Sequence, residues 1–384
     1  MNFVARTPLL ALVCLLTFLH YSAAQMRAPL IPIYAAAHGA SAAWIGLIVG
    51  AHMAVAAVAS IPLGRMGDQH GRRLVMLVGI GISAITSLLL PLFEDALALT
   101  VLYGIAGLGV AAFTPSALAL VGDSAPPGKA GHAFAWYTAV HYAAIAIGPF
   151  IGGLVADWLG YGPAFIVSGI AIALTLALAL AMPMKIPARV DAGERPSFRQ
   201  ILDNRAVWAG WIASTSGLFV QGVIFTYLPL MGSERGLSAS AIGLVFLVLG
   251  VANTLVRFPA GWLVDRAPYH SAYASAGILG ACAAAVFLPY VHGVALLLAL
   301  AAVFGALSGF AFVAIGVALA TAAAPSLRGA VMGGYSTSLY LGLALGSFAL
   351  GPVVDHYGHH VAFAVGGAVA AVGALGAALL WSRS

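Results

Sequence analysis

Charge is the scarcest property of this sequence. Asp, Glu, Lys and Arg are 7% of its 384 residues, against 62% hydrophobic; soluble domains carry about 25% charged residues. A chain with so little charge cannot cover a water-exposed surface, and a mean hydropathy of +1.04 assigns it to a bilayer. Cysteine is nearly as scarce. Cys14 and Cys282 both lie inside apolar runs, so no disulfide framework is implied. There is no G-x-x-x-x-G-K-[ST] loop, which argues against ATP as an energy source and against any cofactor. No nucleophile and base, and no metal-ligand set, cluster at one depth, which argues against an enzyme. The basic balance, with a pI near 9.3, does not read as a nucleic-acid footprint. The positive residues fall in alternate loops rather than along one element.

What fills the chain is apolar runs, each of about the twenty residues that cross a bilayer as a helix. They are expected at 9–31, 43–63, 74–93, 97–121, 131–155, 163–183, 206–230, 239–264, 271–290, 294–321, 329–353 and 361–381. The first resembles a secretory leader, with Arg6, an apolar stretch and small residues at Ser22 to Ala24. It is kept as span 1 because it has a repeat partner in the second half. Of the 16 Lys and Arg, all but Arg27 and Arg235 fall on the side of both termini. The positive-inside rule makes that side cytoplasmic. The longest polar interval carries Lys185, Arg189, Asp191, Glu194, Arg195, Arg199, Asp203 and Arg205. It divides the chain into a six-span unit at 1–184, a cytoplasmic linker at 185–205 and a second six-span unit at 206–384.

The two units repeat. At a constant offset, Pro32, Gly39, Ser41, Ile45, Gly46, Pro62, Gly64 and Asp68 meet Pro229, Gly236, Ser238, Ile242, Gly243, Pro259, Gly261 and Asp265. After one inserted residue, Pro127, Gly131, Tyr137, Tyr142, Gly148, Gly153, Asp157, Gly160 and Phe165 meet Pro325, Gly329, Tyr335, Tyr340, Gly346, Gly351, Asp355, Gly358 and Phe363. Two related bundles can rock about a central site and expose it to alternate sides, which is the build of a secondary transporter.

One stretch breaks the low-charge pattern. Pro62 to Arg73 sets Arg65, Asp68, Arg72 and Arg73 among three glycines, between two long apolar runs. It is expected to be a tight turn at the membrane surface. Gly64, Met66, Gly67, Asp68, Gly71, Arg72 and Arg73 resemble the loop between helices 2 and 3 of the major facilitator superfamily. The resemblance implies a charged cluster of Asp68, Arg72 and Asp123 that latches and releases during transport. A degenerate copy in the second half keeps Asp265 and Arg266. Gly148, Pro149, Gly152 and Gly153 on span 5 resemble the G-P-x-x-G-G packing motif of the drug:proton antiporter branch. Small residues there let helices approach closely. Span 4 departs from that branch. The exporter pattern R-x-x-Q-G-x-G would put Arg at Tyr103 and Gln at Ala106, and neither is present.

Ionisable residues inside a membrane are costly and mark cavities or relays. Here they are His20 and Arg27 on span 1, His52 on span 2, His141 on span 5 and Arg257 on span 8. His20 lies roughly 18 Å along its helix at ~1.5 Å per residue, near the midplane. Like His52 and His141, it reads either as a neutral core histidine hydrogen-bonded to a neighbouring helix or as a group that binds and releases protons near neutral pH. Arg27 and Arg257 read either as cavity charges or as side chains that snorkel toward water. In the fold that the resemblance implies, helices 1, 5, 7, 8 and 11 line the cavity. That adds Tyr21, Gln25, Tyr137, Tyr142, Gln221, Tyr227, Asn253, Tyr335 and Tyr340. No Asp or Glu stands at mid-depth in any span, so the cavity favours neutral or anionic solutes.

The expectation is an all-α membrane protein of twelve transmembrane helices in two six-helix bundles, a monomer in a bacterial inner membrane. It is expected to export a small organic solute by alternating access in exchange for protons. A proton-coupled importer or facilitator is the alternative, and a receptor or membrane enzyme on the same fold a remote one.

Overall fold

An apolar chain in lipid must satisfy its own backbone, and the helix does so within one segment. In the computed structural model every regular element among the described residues is helical. The structure describes residues 8–125, 129–181, 201, 203–266, 269–322 and 328–382. Span α1 is broken, running Pro8–Gln25 and then Leu30–Ala37. It is followed by α2 (Ala42–His70), α3 (Arg72–Leu89), α4 (Ala96–Ser124), α5 (Ala130–Leu159) and α6 (Tyr161–Ala181). The second half holds α7 (Arg205–Glu234), α8 (Ala239–Arg266), α9 (His270–Phe287) and α10 (Val294–Ala322). A last helix, Arg328–Trp381, is kinked at Gly358 (φ 79°) into α11 (328–357) and α12 (359–381). Eleven helices are long and apolar enough to cross a membrane, and the kink makes the last of them two spans, giving twelve. Most of the linker at 185–205 lies outside the described residues.

The ends follow local chemistry. Asp95 Oδ1 accepts from Ala98 N–H at 2.9 Å and caps α4. Asn204 Oδ1 caps α7 through Ala206 and Val207 N–H. An N-cap oxygen of this kind satisfies donors that the first turn leaves unpaired. The stretch Pro62 to Arg73 corrects the expectation of a turn. Residues up to His70 remain helical within α2, and the chain reverses at one residue, Gly71, with φ +103°. Only glycine takes that backbone without strain. The charges are therefore displayed on helix surface rather than on a loop.

Within the first half α2 packs on α4, α3 on α4 and α6, and α1 on α5; in the second, α8 packs on α10 and α9 on α10. The halves meet through α2 against α11 and α5 against α8. Outward faces are apolar, with Val58, Ile85, Leu174 and Val369 exposed. Such a continuous belt belongs against lipid tails rather than water.

The G-P-x-x-G-G stretch of α5 shows why those residues are small. A Cβ on Gly152 would stand 2.7 Å from the Met26 backbone at the break in α1, and one on Gly148 2.6 Å from Ser22 O. Overpacking of this kind costs about 1–3 kcal/mol. Gly152→Ala should therefore lower the thermal unfolding temperature of the purified protein in detergent. Gly376→Ala, where nothing lies within 4 Å, should leave it unchanged.

Candidate functional site

Between the halves, α1, α4 and α5 face α8 and α11 across a cluster of rings. Tyr137 and His141 are four residues apart on α5 and so share a face. The His141 ring lies 6.0 Å from Tyr137, 4.2 Å from Tyr21 in an edge-on contact and 5.7 Å from Tyr142. Tyr21 also meets His20 edge-on at 5.4 Å, and His20 stacks on Phe113 of α4 at 4.4 Å. The Tyr21 hydroxyl hydrogen-bonds Thr114. From the second half, Tyr340 sits near Tyr21 and Tyr137, and Tyr335 near Tyr142 and Arg257. The repeat-related tyrosines thus converge on one place.

Arg257 and Asn253 occupy adjacent turns of α8. Arg257 Nε and Nη2 donate to Asn253 Oδ1 at 3.2 and 3.0 Å, and Asn253 Nδ2 donates to Ser308 Oγ at 3.1 Å. So held, the guanidinium lies 4.0 Å from the centre of the Tyr142 ring, on the opposite half. A cation–π contact between half-buried partners of this kind is worth about 1 kcal/mol. No described side chain of this cluster is a carboxylate. His20 is fully buried, and among the described residues neither of its ring nitrogens nor Nδ1 of His141 has a hydrogen-bond partner. Buried polar groups are ordinarily paired, and these enclosed nitrogens are exceptions in this conformation. Gln25 and Gln221 are half-buried on α1 and α7. Phe113, Thr114 and Ser308 were not legible as site residues. Nothing in their local sequence separates them from ordinary helix packing.

Arg27 and His52 make their contacts within the first half. Arg27, at the break in α1, is 2% exposed. Its Nη1 donates to Ser83 O at 3.2 Å, Thr86 Oγ1 at 3.5 Å and Ser87 Oγ, all on α3. It neither snorkels outward nor faces the other half. His52 stacks on Tyr103 at 4.3 Å and bonds its carbonyl through Nδ1 at 3.0 Å. Neither takes part in the ring contacts, although Arg27 is close enough to His20 for its charge to be felt there. The Arg27 guanidinium also lies 5.7 Å from the Tyr103 ring.

The basic end of the first half holds a second cluster. Arg72 pairs with Asp68 Oδ1 at 3.2 Å and with Asp123 Oδ2, and donates to Ala119 O. Arg73 donates to Ala179 O and Leu180 O at the end of α6. A cation satisfies terminal carbonyls there. Gly64 packs near Pro115 and Gly67 near Ser116, which brings α2 onto α4. These contacts tie helices of one half rather than crossing to the other. In the degenerate copy, Arg266 stacks on Trp262 at 3.8 Å, and the Asp265 side chain lies outside the described residues.

The two buried arginines should separate in experiment. Arg27→Ala leaves a void within one bundle and should cost about 2–4 kcal/mol of stability, read as a lower unfolding temperature. Arg257→Ala should leave that temperature within a few degrees, because Arg257 is only half-buried.

A profile of the Major Facilitator Superfamily matches residues 13–289 and 231–384. An MFS-type transporter of Methanocaldococcus jannaschii is 24% identical over 348 residues, 86% of this chain and 87% of that protein. The homolog of the multidrug resistance efflux pump PmrA in Lactococcus lactis is 24% identical over 257 residues, 63% of this chain and 62% of the pump. The tetracenomycin C resistance and export protein of Streptomyces glaucescens is 35% identical over 129 residues, 34% of this chain and 24% of that protein. Among solved structures, a bacterial homolog of the human lysosomal transporter Spinster, inward-facing and occupied, superposes with TM-score 0.81 at 16% identity, covering 99% of this chain and 97% of that one. The nucleoside transporter NupG superposes with TM-score 0.80 at 14% identity, covering 97% and 99%. With the profile spanning both halves, the chain belongs to the Major Facilitator Superfamily and is a membrane transporter, not an enzyme.

Proposed function

We propose that this transporter exports a small neutral or anionic organic solute in exchange for protons, as a monomer with both termini in the cytoplasm. The observation that carries the substrate class is Arg257, fixed by Asn253 against Tyr142 in a ring cluster with no described carboxylate. In a low-dielectric cavity an unneutralised guanidinium repels cations and attracts anions. The surrounding tyrosines and His141 offer faces for an aromatic or apolar body and hydroxyls for a polar one. Export is the direction that the names of the efflux and export relatives favour. His20 and His141, on either side of Tyr21, are the groups through which a proton and a solute would compete.

Gating is assigned to Gly64, Asp68, Gly71, Arg72, Arg73 and Asp123, with Asp265 and Arg266 as the second-half counterpart. Exposed ion pairs of this kind contribute about 0–1 kcal/mol to stability, so their role lies in the relative energies of two conformations. Asp68→Asn should leave solute affinity and unfolding temperature nearly unchanged while transport in vesicles falls by about tenfold or more. Lost binding in a folded variant would remove the gating assignment.

The coupling is tested by proton release when solutes are added to purified protein in weak buffer, across anionic, neutral and cationic compounds. Release with an anion or a neutral solute, lost in His20→Ala, supports exchange. Uptake on binding points to symport, and no proton change for a solute that binds points to a facilitator. Arg257→Ala should weaken an anionic ligand by about tenfold or more and a neutral one much less.

A further inference from the structure

The repeat pairs Asp157 with Asp355, two carboxylates that the ring cluster and the basic cluster do not use. Each stands near the end of a span, on the face opposite the arginine-rich one, and each reaches across to the other half. Asp157 of α5 accepts from Ala239 N–H at 2.8 Å and Ser240 N–H at 3.0 Å, at the start of α8. Asp355 of α11 accepts from Ala42 N–H at 2.7 Å and Ala43 N–H at 2.9 Å, at the start of α2. Each carboxylate therefore takes both of its oxygens to the first turn of a helix in the other half. There the unpaired donors and the positive end of the helix dipole stabilise an anion.

The backbone is built to allow this approach. One turn before each Asp stands a glycine that touches the same helix start. A Cβ on Gly153 would lie 2.7 Å from Ser240 Cα, and one on Gly351 would lie 2.5 Å from Ala43 Cα. Ser41 and Ser238 cap the same two helices from within, through Trp44 and Ala241 N–H. The aspartates are thus a second, inter-half layer of capping. Nothing in the local structure of α2 or α8 requires them.

We propose that Asp157 and Asp355 are the paired outer latches of this transporter, and that their charge holds the outer side closed. This rests on the reading of the basic face as cytoplasmic. Loss of the charge removes what the two amides and the helix dipole favour, so it weakens the sealed conformation and favours outward opening. These are exposed carboxylates at the seam where that opening must start.

The groups around them are few. Asp157 faces Tyr161 of α6. Asp355 faces Tyr227 of α7 and borders a hollow of about 650 Å³ that also touches Tyr161, Glu234 and His359. Glu234 and His359 pair with each other at 2.8 Å within the second half. The segments of α2 and α8 that receive the carboxylates, residues 42–43 and 239–240, carry no titratable side chain.

The test needs no solute. Spin labels at Leu92→Cys and Tyr290→Cys, exposed at the outer ends of the two halves, are placed in the full chain with Cys14 and Cys282 replaced by Ala. Their separation is measured by double electron–electron resonance at pH 7.5. Asn keeps one acceptor and loses the charge. Asp157→Asn or Asp355→Asn should each raise the ratio of long to short separations by about fivefold, as loss of one helix cap implies, and the pair by about 25-fold if they add. His359→Gln, which leaves both aspartates in place, should not change the ratio. An unchanged distance distribution in both single variants overturns the latch, and a shift of the same size in His359→Gln overturns its assignment to the aspartates. A failure of solute or proton flux with these shifts present would count against the proposed export instead.

Discussion

A polar group in lipid has no water to turn to, so each must find a partner within the protein or face a place where one arrives. That constraint orders this structure. Arg27 is deep in the first bundle and is answered by three oxygens of α3. Arg257 is answered on one side by Asn253 and lies on the Tyr142 ring on another, at the seam between halves. The first is a closed account of a buried charge. The second leaves a cation at a place that changes its neighbours when the halves move.

The same constraint explains where the halves touch. Without a hydrophobic drive between helices in lipid, association depends on close packing and on hydrogen bonds. Both occur together at the seam. Gly153 and Gly351 bring backbones into contact, and Asp157 and Asp355 reach across to amides that α2 and α8 leave unpaired. Packing alone would hold the halves rigidly. A carboxylate on two amides holds them by a bond whose strength depends on its charge.

The three polar clusters lie at different depths and have different chemistry. Arg72 with Asp68 and Asp123 marks the basic face, the rings and Arg257 lie between, and the aspartate latches mark the far face. Transport by rocking requires contacts at the two ends that alternate and a middle that is offered to each side in turn. In this conformation the far end is sealed across the halves, while the described bonds of the basic cluster stay within one half.

The sequence by itself determined the class and the fold. Twelve apolar runs, a two-fold repeat and the Gly64-to-Arg73 signature are local in the chain, and lipid leaves a long apolar run one backbone solution. It also named most of the ring cluster, because mid-span His, Tyr and Arg are conspicuous in a chain with so few polar residues. It left Arg27 and His52 between a cavity and a structural role, since depth along a helix is legible in sequence but the direction a residue faces depends on which helix packs beside it. It paired Asp157 with Asp355 by repeat, yet gave no sign of their partners, because those partners are backbone amides with no residue identity to read. Only the tertiary structure brings the end of one span onto the start of another 82 or 313 residues away, and that juxtaposition decides which of the few charges bind, which merely pack and which hold the halves together.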